Sequence, residues 1–192
     1  SGIFNFKKYG VFPIPWHGGK DPGTTYKDIY EKYLNLSISL YLRDCLSQYG
    51  ATVILTRDND NDLSYGETNH RKKTDFDNRI KIINNKHTDM YLSIHLNYLT
   101  NTKYYGAQVF YNKDNEKLAK SIQEYLNSNL ETDREIKEIP KSTYMYKKLE
   151  KRGVLIECGF LSNAEERKKL VTKEYQKNVA QVIADAVVNY YK

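Results

Sequence analysis

The hydrophobic positions along this chain change period several times. Val11–Trp16 is apolar enough for a buried strand, although Pro13 and Pro15 cannot donate to a ladder. From Ile29 to Tyr49 the period becomes helical. Tyr30, Leu34, Ile38, Leu42 and Cys45 recur every three or four residues, and Gly50 stops the run. Ala51–Thr56 predicts a short strand, and the polar stretch 57–74 a loop. Asp75–Lys86 predicts a helix with Phe76, Ile80 and Ile83 as its apolar stripe. Met90–Leu96 and Ala107–Tyr111 predict strands. A helix follows over Asn115–Asn129, with Leu118, Ile122, Tyr125 and Leu126 inward. Residues 131–146 read as irregular, Val154–Cys158 as a core strand, and Ala164–Leu170 and Glu174–Tyr191 as closing helices. Strands alternating with helices predict an α/β fold: one domain, with a mixed, mostly parallel sheet of about six strands and helices on both faces.

Length and composition agree. The chain has 192 residues, enough for one core without staples. No repeat, low-complexity tract or linker divides it, so 1–192 is expected to be a single domain. Ser1-Gly2 reads as a tag-cleavage scar and 3–10 as a poorly defined lead-in. No apolar run approaches the roughly 20 residues of a membrane span, and no secretory leader is visible. With such a scar at the start, a native leader or anchor is expected to have been removed.

The formal charge of +6 is spread among acids. The basic stretches His70–Lys73 and Lys147–Arg152 suit a solvated surface, or attraction to an anionic polymer such as cell wall. No nucleic-acid-binding motif is present. Cys45 and Cys158 read as small buried hydrophobes rather than a disulfide. The 18 tyrosines have two readings, biased codon usage and a sugar-stacking surface, of which the first is favoured.

Four residues carry candidate chemistry: His17 in HGGKDPG, Glu31 in YEKYLNL, His95 in YLSIHLN and Glu157 in VLIECGF. Each has an ordinary explanation. His17 suits a glycine-rich surface loop. Glu31 complements the dipole at the start of a helix. His95 falls on one strand face with Tyr91 and Ser93, opposite Leu92, Ile94 and Leu96, as a hydrogen-bonded core histidine could. Glu157 is the hardest to dismiss, because a carboxylate interrupting an apolar strand needs a cation or an open strand end. Taken together, two imidazoles and a carboxylate form a zinc-ligand set with a fourth position for water, and a second carboxylate can serve as its base. His70 and His87 read as surface or structural residues.

These motifs resemble those of the zinc-dependent N-acetylmuramoyl-L-alanine amidase family (Amidase_3). The resemblance runs through HGGKDPG, the glutamate opening the first helix, Gly50, Val53, Thr56 and Arg57, then Arg79 and Asn84, then Ser93–Asn97, and finally Val154–Asn163. It is most similar to the sporulation-specific CwlD-type branch. The resemblance implies zinc held by His17, Glu31 and His95, with Glu157 as catalytic acid-base. It implies a peptidoglycan substrate cleaved between the lactyl group of muramic acid and L-alanine, in forming spore-cortex muramic-δ-lactam. It also implies extracytoplasmic action in cell wall or spore envelope, with a spore lipoprotein of the GerS kind as a partner to be considered. One departure is visible. The family places an Asp-(Ala/Pro)-Gly triplet before the first histidine, whereas here Pro15-Trp16 precedes His17. That departure is the support for a rival reading, a non-catalytic wall-binding module with a decayed site. A zinc peptidase or deacetylase with similar ligands is a second.

Overall fold

The computed structural model describes residues 10–85 and 87–192. The expectations for Ser1-Gly2, for 3–9 and for Lys86 fall outside them. Six strands form one sheet in the order β4-β1-β5-β8-β6-β7. These are β1 (Gly10–Pro15), β4 (Thr52–Val53), β5 (Met90–Asn97), β6 (Gln108–Tyr111), β7 (Lys137–Glu138) and β8 (Arg152–Phe160). β4, β1, β5 and β8 run parallel, and β6 is antiparallel to β8. Thr25–Tyr26 (β2) and Ile29–Tyr30 (β3) make a small separate ladder ahead of the first helix. The helices are α1 (Glu31–Gln48), α2 (Arg71–Ile83), α3 (Glu116–Asn129), α4 (Tyr144–Lys148), α5 (Ala164–Leu170) and α6 (Lys173–Tyr190). None is long and apolar enough to cross a membrane.

The central strands are apolar on both faces because helices cover both. Val11, Leu92, Ile94, Val154 and Ile156 join one core with Ile38, Leu42 and Leu46 of α1, Ile122 of α3 and Ile183 of α6. Phe12, Ile14, Trp16 and Tyr91 join the other with Phe76 and Ile83 of α2 and Met145 and Tyr146 of α4. The two-residue period of β5 thus sends Leu92 and Ile94 one way and Tyr91 the other, as the sequence predicts.

β1 forms inside the sheet, one strand from its edge, despite its prolines, and the register explains how. The Val11 carbonyl accepts from Ile54 on the β4 side, while the Gly10 carbonyl and Trp16 N–H bond on the β5 side. Pro13 and Pro15 share Val11's parity, so their missing N–H groups face the side where β4 has already stopped. β4 spans two residues rather than the six expected of Ala51–Thr56; Ile54 already lies 45% exposed.

Other boundaries also differ. α2 starts at Arg71, not Asp75, because its first turn is polar and shows no apolar period. Within 131–146 lie the edge strand β7 and the beginning of α4, both too short for a periodic signal. Tyr30 is exposed and edge-stacked on Tyr33 rather than part of the core stripe, whose inner end is Leu46. His70 and His87 are exposed, and both cysteines are free, Cys158 buried and Cys45 half-buried.

Candidate metal centre

The candidate residues converge at the carboxyl end of the sheet. His95 and Glu157 are register partners on adjacent parallel strands, so their side chains share a face. His17 follows the end of β1, and Glu31 opens α1. α1 has no side-chain N-cap. Instead its first N–H groups donate to carbonyls of the His17 loop, Glu31 to Thr24 (2.9 Å) and Lys32 to Pro22 (3.1 Å). The Thr24 N–H in turn donates to Glu31 Oε2 at 2.8 Å. This reciprocal capping fixes the loop on the helix start and brings His17 beside Glu31.

Glu31 is the hub, and it is almost fully buried. His17 Nε2 lies 3.4 Å from Oε2, and His95 Nδ1 lies 3.2 Å from Oε1. The Leu96 N–H (3.0 Å) and Asn35 Nδ2 (3.1 Å) also donate to Oε1. Burial alone would raise the Glu31 pKa, but the two imidazoles outweigh it and hold the carboxylate ionised. Burial opposes charge on His17 too, yet Asp21 and Glu31 raise its pKa to about 9. His95 goes the other way, lowered by burial against the pull of Glu31.

One ligand atom from each of His17, Glu31 and His95 lies within 4.8 Å of the others. The donor set of two imidazoles and a carboxylate suits a borderline-soft divalent ion. Among the described residues, two buried polar atoms on these register partners, His95 Nε2 and Glu157 Oε2, have no hydrogen-bond partner. Burial and the nearby Glu31 charge push Glu157 well above the usual carboxylate range. A cation held there would give Glu157 an opposite charge and offset the repulsion between the carboxylates.

Several supporting residues, some of them noted in the sequence, take roles that only the structure shows. Asp21 sits 2.9 Å from His17 Nδ1, so that nitrogen is the donor and Nε2 faces Glu31. The only available signal was its i+4 spacing inside HGGKDPG. Gly23, at φ 68°, leaves no room for a side chain: a Cβ there would stand 2.5 Å from His17 Cδ2 and 2.7 Å from Glu31 Oε2. Trp16 is buried, stacked on the His95 ring at 5.1 Å, and its indole N–H donates to Ser93 Oγ. His17 itself holds φ 62°, a left-handed conformation costing a non-glycine residue on the order of 1–3 kcal/mol.

The layout is that of an α/β domain carrying a candidate metal centre where open sheets keep their sites. A family described as N-acetylmuramoyl-L-alanine amidase matches residues 13–189. The germination-specific N-acetylmuramoyl-L-alanine amidase of Bacillus subtilis is 41% identical over 188 residues, covering 94% of this chain and 79% of that protein. A solved structure of the CwlD amidase from Clostridioides difficile in complex with the GerS lipoprotein superposes with a TM-score of 0.88 and 38% identity, over 95% of this chain and 98% of that one. An N-acetylmuramoyl-L-alanine amidase from Clostridium difficile 630 gives 0.84 and 32%, over 96% and 97%. The chain belongs to the N-acetylmuramoyl-L-alanine amidase family. It is an enzyme, a hydrolase acting on an amide bond of the cell wall.

Proposed function

We propose that this amidase works with zinc held by His17, Glu31 and His95, and that Glu157 is its acid-base. The observation carrying this reading is the meeting of three donor side chains around one point, beside an orphaned, buried carboxylate. Zinc bound there supplies Lewis-acid polarisation of a carbonyl and a coordinated water of pKa about 7.

The chain's own residues do the rest. Asp21 keeps the His17 tautomer with Nε2 free toward the centre. Two main-chain N–H groups and Asn35 keep Glu31 from swinging away. Burial and the Glu31 charge favour protonated Glu157 against the pull of His17, and a cation held at the centre would favour its carboxylate. It then takes a proton from the attacking water and returns it to the L-alanine nitrogen as that amine departs. The water oxygen bonds to the lactyl carbonyl carbon of muramic acid, the C–N bond breaks, and the stem peptide leaves the glycan.

The relatives support the setting. Germination- and sporulation-specific amidases stand among them, and we extend this to action outside the cytoplasm, forming muramic-δ-lactam in spore cortex. The Clostridioides difficile complex supports a GerS-like spore lipoprotein as partner. Zinc affinity measured with and without such a lipoprotein tests that part; equal values remove it. The wall-binding-module reading loses its support, because Trp16 packs against His95 instead of displacing the ligands.

The decisive variant is Glu157→Ala. It should retain one zinc per chain by elemental analysis and lose about 10²–10⁴-fold in release of stem peptide from peptidoglycan, read by mass spectrometry. Undiminished release refutes the acid-base role. Shortened stem peptides in place of whole ones would point to a peptidase.

A further inference from the structure

Two buried arginines grip the backbone just ahead of His17. Arg57 lies 4% exposed and Arg79 not at all. Arg57 donates only to main-chain carbonyls: Nε to Pro15 (3.0 Å), Nη1 to Asn59 (2.8 Å), and Nη2 to Trp16 (3.1 Å) and Lys32 (2.8 Å). Among the described residues it makes no ion pair. Arg79 donates Nε to Asp75 (2.9 Å), Nη1 to the Pro15 carbonyl (3.2 Å) and Thr56 Oγ1 (3.2 Å), and Nη2 to the His17 carbonyl (3.4 Å). Between them they hold three successive carbonyls, Pro15, Trp16 and His17. The Pro15 carbonyl lies beyond the last β4 pair, Asn35 Nδ2 also donates to the Trp16 carbonyl (3.3 Å), and the three carbonyls lead into the left-handed turn at His17.

Burying two guanidiniums is an expensive way to gain stability, since apolar packing of similar volume usually serves as well. What the planar fork offers instead is fixed geometry, with donors at set angles that no lysine reproduces. We infer that Arg57 and Arg79 are positioning residues: their shared grip on the Pro15–His17 carbonyls holds His17 left-handed, so that its imidazole is already beside Glu31 before any ion binds. The metal-affinity part of this inference rests on the assignment of His17 as a ligand.

Arg57→Lys and Arg79→Lys test it, since each keeps the charge and loses the fork. Zinc affinity is measured by chelator competition on metal-stripped protein whose fold is checked by circular dichroism. Exchange of the Gly18 amide, bonded to the Asp21 carbonyl at 2.9 Å, is followed in the metal-free protein. We expect affinity to fall about tenfold in each variant, equivalent to about 1.4 kcal/mol, and Gly18 exchange to accelerate. Wild-type affinity together with wild-type exchange overturns the inference. His17→Ala separates the two layers: if it binds zinc as tightly as wild type, the ligand assignment fails, while the Gly18 exchange still judges the clamp. Should a lysine variant not fold, Thr56→Val removes one Arg79 anchor without touching charge. Gly18 exchange should then rise about threefold, by roughly 0.6 kcal/mol, and an unchanged rate overturns the role of Arg79.

Discussion

Gly23→Ala separates the architecture of the centre from the stability of the fold. Gly23 lies at φ 68°, and an added Cβ would stand 2.5 Å from His17 Cδ2 and 2.7 Å from Glu31 Oε2, where ordinary contact begins at 3.4 Å. Both contacts must therefore lengthen, by roughly 0.7–0.9 Å, and misplacements near 1 Å at a reacting centre cost about 10²-fold. Glu31 is fastened by three hydrogen bonds besides its imidazoles, so His17 yields the further of the two. The backbone penalty for alanine in this region is about 1–2 kcal/mol. At about 2–4 °C per kcal/mol for a chain of this size, the melting temperature should fall by about 2–8 °C. Gly66→Ala is the matched control. Gly66 holds φ 86°, and a Cβ added there would meet nothing within 4 Å. It should show the same thermal loss with unaltered metal affinity. Calorimetry and chelator competition on both variants measure the two effects. If Gly23→Ala binds zinc as wild type does, or if Gly66→Ala loses the metal equally, steric contact at Gly23 does not govern the centre.

Three other outcomes follow from named contacts. Trp16→Gly, which restores the residue type of the resembled motif, should destabilise the protein by about 3–5 kcal/mol by emptying a core position against His95 and Phe76, whereas Trp16→Phe should cost less; denaturant unfolding decides. Glu166 accepts the Gly106 and Phe160 N–H groups at 2.9 and 2.8 Å, so Glu166→Leu should cost about 1–3 kcal/mol for each donor left buried, and Glu166→Gln much less. Burial raises the Glu166 pKa despite those donors, so its contribution is full below the ordinary carboxylate value of 4.5 and is lost as pH rises through the higher folded value; the gap between wild type and Glu166→Gln should shift toward the variant as pH climbs, and a pH-independent gap refutes this. Zinc at 100 times its dissociation constant should stabilise the wild type by about 2.7 kcal/mol, and His95→Ala should abolish that increment in a thermal-shift assay.

The chain's periodicities determined much of this protein without help. α3, α6, β5 and β8 fall within two residues of their expected bounds, because each buries a regular apolar face long enough to leave a pattern. The four candidate residues were legible for a different reason: only Glu157, a glutamate inside an apolar strand, is costly by itself, and the others stood out as a ligand set in motifs that resemble the family's. Tertiary structure decided what no local pattern could encode. β1 survives two prolines only because its neighbour β4 ends early, a fact about another strand. Arg57 and Arg79 match motif positions in the sequence, but what they do there shows only once the fold buries them against the Pro15 carbonyl, 42 and 64 residues away in the chain. Trp16 reads as an intrusion until it stacks on His95 from a different strand. Periodicity reports which face of an element meets the core, since that is set by neighbours a few residues off. Which carbonyl meets which guanidinium depends on strand order and register, and those exist only once the chain has closed on itself.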